Sequence, residues 1–176
     1  SLAAYRSGDL PAALRKYPAD RANLSDGEKI YRAALLLSVG EVDKTEAALS
    51  SISRATERQQ QLAFALRQLI AAVKRQATTS NTKPQTASEC LAQSYYEQSH
   101  AVRTTSLEGA LALARKATEL APEFGFAWER VAELELCFGR NSEAMKALDK
   151  GLALAPNNAQ ALATRGFILA SQNKSI

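Results

Sequence analysis

Few side chains in this sequence could do chemistry, and their spacing limits what that chemistry would be. His100 is the only histidine. An imidazole can serve as acid, base or metal ligand, but no ligand set accompanies this one, so it reads as an exposed turn residue. Glu129 and Glu133 lie four apart and share a helix face. A working carboxylate pair needs surroundings that drive its two pKa values apart, and nothing nearby suggests such a site. They read as a solvated or peptide-facing surface. Cys90 and Cys137 are too few for a disulfide scaffold or a zinc site, and both read as buried or half-buried small hydrophobes. No Gly-rich phosphate loop, nucleophile elbow or HExxH helix is present. The sequence therefore predicts no enzyme, cofactor or metal.

The elements that would position these residues show themselves through periodicity. Pro122 and Pro156 are 34 residues apart, as are Ala127 and Ala161, and Ala132 and Gly166. Self-similarity at a fixed period is the signature of a repeat architecture. Within one period, Trp128, Val131 and Leu148 are large and apolar, Ala132, Ala144 and Gly151 are small, and Gly139 and Pro156 are breakers. Small residues let two helices approach closely, and large ones fill the space between successive pairs. Glycine suits a left-handed helix end, and proline stops a helix.

These positions resemble the tetratricopeptide repeat (TPR) family. Numbering a repeat from Gly125, Trp128 falls at position four, Val131 and Ala132 at seven and eight, Gly139 at fifteen, Ala144 at twenty, Leu148 at twenty-four and Pro156 at thirty-two. Gly151 stands where the family usually has alanine, which predicts looser packing there. A preceding unit carries Leu91, Ala92 and Tyr95 in its first helix, then Ala110, Ala114, Ala117 and Pro122 in its second. Its frame slips by six residues, predicting an insertion in the turn within Ser99–Leu107 that holds His100. A final unit has Leu162, Gly166 and Leu169 in frame and stops before a second helix. The resemblance implies an all-α fold, a TPR-like right-handed solenoid of helical hairpins, with Trp128, Val131, Leu134, Leu148, Leu152 and Leu162 buried between repeats.

Residues 1–76 match more loosely. Gly8 and Gly40 both fit position fifteen, and counting back puts Ser1 inside a first helix, as in a fragment of a longer protein. Asp9 is a candidate N-cap with Pro11 in the first turn, and Ser25 to Glu28 form a capping-box pattern opening a helix that runs to Ser38 or Val39. Residues 54–76 lack Gly and Pro and predict one long helix with Leu62, Leu66, Leu69, Ile70 and Val73 on one face. Residues 77–86 are polar, contain Pro84, and read as a linker. The expected division is a degenerate helical region at 1–76, the linker at 77–86 and a repeat array at 87–176.

Bulk composition narrows the function classes. The 176 residues include 22 Lys+Arg and 18 Asp+Glu, a formal charge of +4. The basic residues are scattered, with no run, zinc-finger spacing or aromatic-interleaved patch, so nucleic acid is not the expected partner. No apolar run approaches the roughly 18 residues of a membrane-spanning helix. What the resemblance implies is a non-enzymatic protein–protein interaction scaffold, whose concave face holds a partner segment. In this family the concave surface is lined by fixed positions of each first helix. Here these positions hold Glu89, Gln93, Tyr96 and Glu97, then Phe126, Glu129, Glu133 and Leu136, then Gln160 and Phe167. Four glutamates with three aromatics suggest a basic or mixed basic–apolar protein or peptide partner. The alternative is a structural or self-assembly module, joining domains or protomers without a peptide ligand.

Overall fold

In the computed structural model, residues 1–18, 21, 24–78, 83–101 and 104–173 are described. They are all-α, with ten helices and no strand among the described residues. The helices are α1 (Leu2–Arg6), α2 (Leu10–Arg15), α3 (Asp26–Ser38), α4 (Val42–Ser50) and α5 (Glu57–Lys74). They continue as α6 (Ala87–Ser99), α7 (Thr104–Leu120), α8 (Gly125–Cys137), α9 (Asn141–Leu154) and α10 (Ala159–Asn173). Helices joined by short turns pack together: α1 on α2, α3 on α4, α6 on α7 and α8 on α9.

Local chemistry sets these boundaries. Asp9 caps α2 by accepting from Ala12 N, with Pro11 in the first turn. Capping boxes open α3 (Ser25 with Glu28), α5 (Thr56 with Gln59) and α6 (Thr86 with Glu89). The Thr56 box starts the long helix at Glu57, three residues later than the sequence suggested. Its 18 residues span about 27 Å, where a helix over all of 54–76 would span about 35 Å. Arg75 ends it in the left-handed conformation at φ 51°, a place usually taken by glycine.

The main core joins α7, α8, α9 and α10 through Ala110, Leu111, Ala114, Val131, Ala132, Leu134, Ala144, Ala147, Leu148, Ala161 and Ile168. A smaller one joins Ala117 to Cys90 and Ala127, with Leu91 half-buried against it. Val131, Leu134 and Leu148 are buried as expected. Trp128 and Leu152 are half-buried. Leu162 departs from expectation at 48% exposed, because α8 and α9 cover only the Ala161 and Ile168 side of α10. Pro122, Gly139, Pro156 and Gly166 sit at exposed positions, three of them in or beside turns.

The packing at Gly151 is close rather than loose. A Cβ there would lie 3.2 Å from Gly125 O, and one on Gly125 would lie 3.1 Å from Gly151 O. The frame slip before α7 is likewise taken up in part as helix, since α7 has 17 residues against 14 for α9. In α5, Leu62 and Val73 turn outward at 37% and 66% exposed. Two other stripes are buried instead. Ala63, Leu66 and Ile70 pack against Ile30, Ala33 and Leu49, while Ala65, Gln68 and Ala72 are buried beside them. A helix between two neighbours needs two narrow faces, and alanine at this spacing supplies them. α5 thereby touches both α3 and α6.

Candidate functional site

The residues expected to line a concave face meet very different surroundings. Glu89 is a helix cap: its Oε2 accepts from Gln85 N and Thr86 N at 2.9 Å and from Thr86 Oγ1 at 3.0 Å. Gln93 lies in a side-chain chain between helices. Gln68 Nε2 of α5 donates to Gln93 Oε1, and Gln93 Nε2 donates to Glu97 Oε1, each at 2.8 Å. Tyr96 accepts from Thr78 N at 3.1 Å, and its ring stacks on His100 at 4.2 Å. His100 is the exposed cap of α6, with Nδ1 against Ser99 Oγ and Tyr96 O.

Glu129 and Glu133 are not the solvated pair that their spacing suggested. Glu129 is 3% exposed, and its Oε1 has no hydrogen-bond partner. Burial first, and the charge of Glu133 second, push its carboxyl up to about 8, while Arg130 pulls the other way. An isolated carboxylate is costly to hold out of water, so Glu129 keeps its proton at neutral pH. Glu133 is half-buried and takes Arg130 NH1 on Oε2 at 2.8 Å.

Arg130 is the centre of this region and was not singled out by sequence reasoning. Its side chain is fully buried. Nε donates to Ser94 Oγ at 3.0 Å, NH2 donates to Ser94 O at 3.1 Å, and the guanidinium lies 3.9 Å over the Tyr95 ring. Ser94 Oγ in turn donates to Ala110 O at 2.8 Å, so one network ties α6, α7 and α8. Burial raises the Tyr95 hydroxyl far above its ordinary range, with Glu129 adding to the effect. Glu135 is a second buried charge, held between Arg115 of α7 and Arg140 of the α8–α9 turn. Both had a signal in the repeat frame. Arg130 occupies position six, where the preceding unit has Cys90, and Glu135 occupies position eleven, where that unit has Tyr95. In both cases a charge stands at a position that is apolar one unit earlier.

The remaining lining residues divide by exposure. Leu136 is half-buried against the main core, and Cys137 on the last turn of α8 is exposed, not buried. Cys90 is buried, which pushes its thiol up. Gln160 and Phe167 are exposed, Phe167 by 64%.

Phe126 is covered from within the chain. Its ring lies 5.9 Å from Tyr5 of α1, and Tyr5 also meets Tyr31 of α3 edge-on at 5.6 Å. Beside this contact, Asn157 N donates to Ser7 O at 2.8 Å. Gly8, at φ +87°, approaches so closely that a Cβ would stand 2.7 Å from Asn158 N. Asn158 is itself the cap of α10, accepting from Gln160 N and Ala161 N. The turn between α1 and α2 thus rests on the turn between α9 and α10.

No group of His, Cys, Asp and Glu among the described residues has the geometry to hold a metal ion. No described helix is long and apolar enough to cross a membrane. Chemically, the exposed part of this surface can bind through aromatic and amide side chains, and its buried part is an ion-paired brace. No protein-family model, curated protein or solved structure matches this chain.

Proposed function

We propose that the chain is a non-enzymatic protein–protein interaction scaffold of the TPR kind, a curved stack of helical hairpins whose inner face holds a partner segment. Several features support this reading. The starts of α8 and α10, Gly125 and Ala159, are 34 residues apart, and Gly8, Gly40 and Gly139 all adopt positive φ after a first helix. The observation that carries it is the exposure of Phe167, 64% open on α10 between Leu162 and Leu169. A large aromatic left in water beside other apolar side chains marks a surface that a partner covers.

The chemistry of that partner follows from which charges remain free. Glu89 is engaged as a cap, Glu129 carries a proton and Glu133 is paired with Arg130. Glu97 and the exposed Phe167 are left, so the favoured occupant is an apolar segment with an isolated basic residue. Titration of apolar–basic and acidic peptide pools against wild type, Phe167→Ser and Glu97→Lys tests this. Preference for the apolar–basic pool, lost in both variants, is expected. Equal binding of both pools, or unchanged binding by the variants, would refute it.

One observation favours self-assembly as a second reading: Leu162 and Leu169 lie seven apart on α10 at 48% and 44% exposed. Sedimentation across a range of concentrations discriminates, because a monomer throughout removes this alternative.

A further inference from the structure

The geometry points to the α1–α2 hairpin being a displaceable latch over the Phe126 end of the proposed binding face. This inference rests on the scaffold reading and adds a regulation to it: a partner that uses Phe126 must first undock the chain's own first hairpin.

The hairpin is held to α8–α10 by few contacts, and each is of a kind that can be exchanged. Tyr5 lies on Phe126 at 5.9 Å in a tilted arrangement, an aromatic contact that another aromatic could replace. Ser7 O takes the Asn157 amide at 2.8 Å, a single backbone hydrogen bond between two turns. Gly8 completes the fit because only a residue without Cβ can bring its backbone this close to Asn158. Toward α3, by contrast, the hairpin has its own small core: Ala4, Ala12 and Ala13 pack with Leu35, and Tyr17 and Tyr31 join them. Ser1 Oγ adds a contact to Tyr31 Oη at 2.8 Å. Undocking from α8–α10 therefore leaves α1–α2 packed on α3, and the hairpin moves together with that helix.

The occupant also indicates the chemistry of a competitor. What fits the seat is the end of a helix carrying an aromatic residue and, three positions later, a glycine in the left-handed conformation, as Tyr5 and Gly8 do. A partner helix ending in this way would place its aromatic on Phe126 and offer a carbonyl to Asn157 N.

Hydrogen exchange of the intact chain provides the test, because the Asn157 amide reports the latch directly. In wild type, that amide should exchange at least about tenfold faster than the Leu134 and Leu148 amides of the main core, which open only with larger units. In Gly8→Val, whose Cβ cannot fit against Asn158, the Asn157 amide should lose protection while Leu134 and Leu148 keep theirs. Should Gly8→Val fail to fold, Tyr5→Ala weakens the same contact without touching the glycine turn. Exchange of Asn157 in step with the main core, in wild type and in the folded variant alike, would overturn the latch. This readout needs no ligand, so it stays separate from the fate of the scaffold reading, which falls if no peptide pool binds wild type or the opened variant. Where the apolar–basic pool does bind, opening should raise its affinity by the factor by which it deprotects Asn157. An unchanged affinity would overturn the gating role.

Discussion

Replacing Glu129 with glutamine should stabilise the fold, and by an amount that grows with pH. The wild-type carboxyl is 3% exposed, lacks a partner for Oε1, and is pushed up to about 8 from its ordinary 4.5. The folded state therefore holds this proton more tightly than the unfolded chain does. The stability it contributes is complete below about pH 4.5, declines as pH rises, and is lost above about pH 8. At about 1.36 kcal/mol per pKa unit, the loss between about pH 5 and pH 8.5 comes to about 4 kcal/mol. The groups facing Glu129 are Tyr95 on α6 and Arg130 and Glu133 on α8. Glutamine matches the shape of the protonated acid and does not titrate. Urea unfolding of wild type and Glu129→Gln at about pH 5, 7 and 8.5 should show the two curves diverging, with the variant ahead at high pH. Subtracting the variant removes opposing slopes from elsewhere, such as Asp26 and Glu28. Their carboxyls lie below the ordinary range, Asp26 through the Arg54 amide first and Glu28 through the Ser25 amide first. A difference between the two proteins that stays flat with pH, within about 0.5 kcal/mol, would refute the buried-proton argument.

Two further substitutions test the brace and the packing. Glu133→Ala takes the salt-bridge partner from the fully buried Arg130 and leaves it with Ser94, the Tyr95 ring and the protonated Glu129, so thermal unfolding should show a loss of about 3–5 kcal/mol. A loss below about 1 kcal/mol would mean that the guanidinium finds water instead. Trp128→Ala should cost about 2 kcal/mol, less than full burial would imply. The indole is half-buried, donates Nε1–H to Pro122 O at 2.8 Å, and has Lys150 over it at 4.3 Å; denaturant titration of the variant checks the figure.

Much of the architecture was legible because it is carried by local signals. Capping patterns at Ser25 and Asp9, and glycines at positions 8, 40 and 139, act over three or four residues, and a reader of the sequence sees all of them at once. The 34-residue period similarly located α8, α9 and the start of α10. What failed depended on neighbours distant in sequence. Val73 and Leu62 fit an apolar stripe, yet α5 is wedged between α3 and α6 and buries alanines on two sides instead. Glu129 and Glu133 have the spacing of a solvated pair, and only the packed helices around them reveal that one is buried and the other ion-paired. Phe126 matched a groove position, but nothing in its own neighbourhood announces Tyr5, 121 positions earlier.

The bond between Ser7 and Asn157 has a kinetic meaning as well. It joins residues 150 positions apart in a chain whose other strong contacts are between helices one or two places apart in the sequence. Closing such a loop directly from the unfolded ensemble would cost about 4 kcal/mol in chain entropy, far more than one hydrogen bond returns. After the intervening helix pairs have formed, their rigid packing brings the two turns together and most of that cost disappears. The order of events is thereby set. Helix pairs assemble first, in the fast regime of local topology, and the ends of the chain meet last. Gly8→Val, which wedges the two turns apart, and Asn157→Pro, which removes the donor N–H, should consequently accelerate unfolding and leave the folding rate nearly untouched.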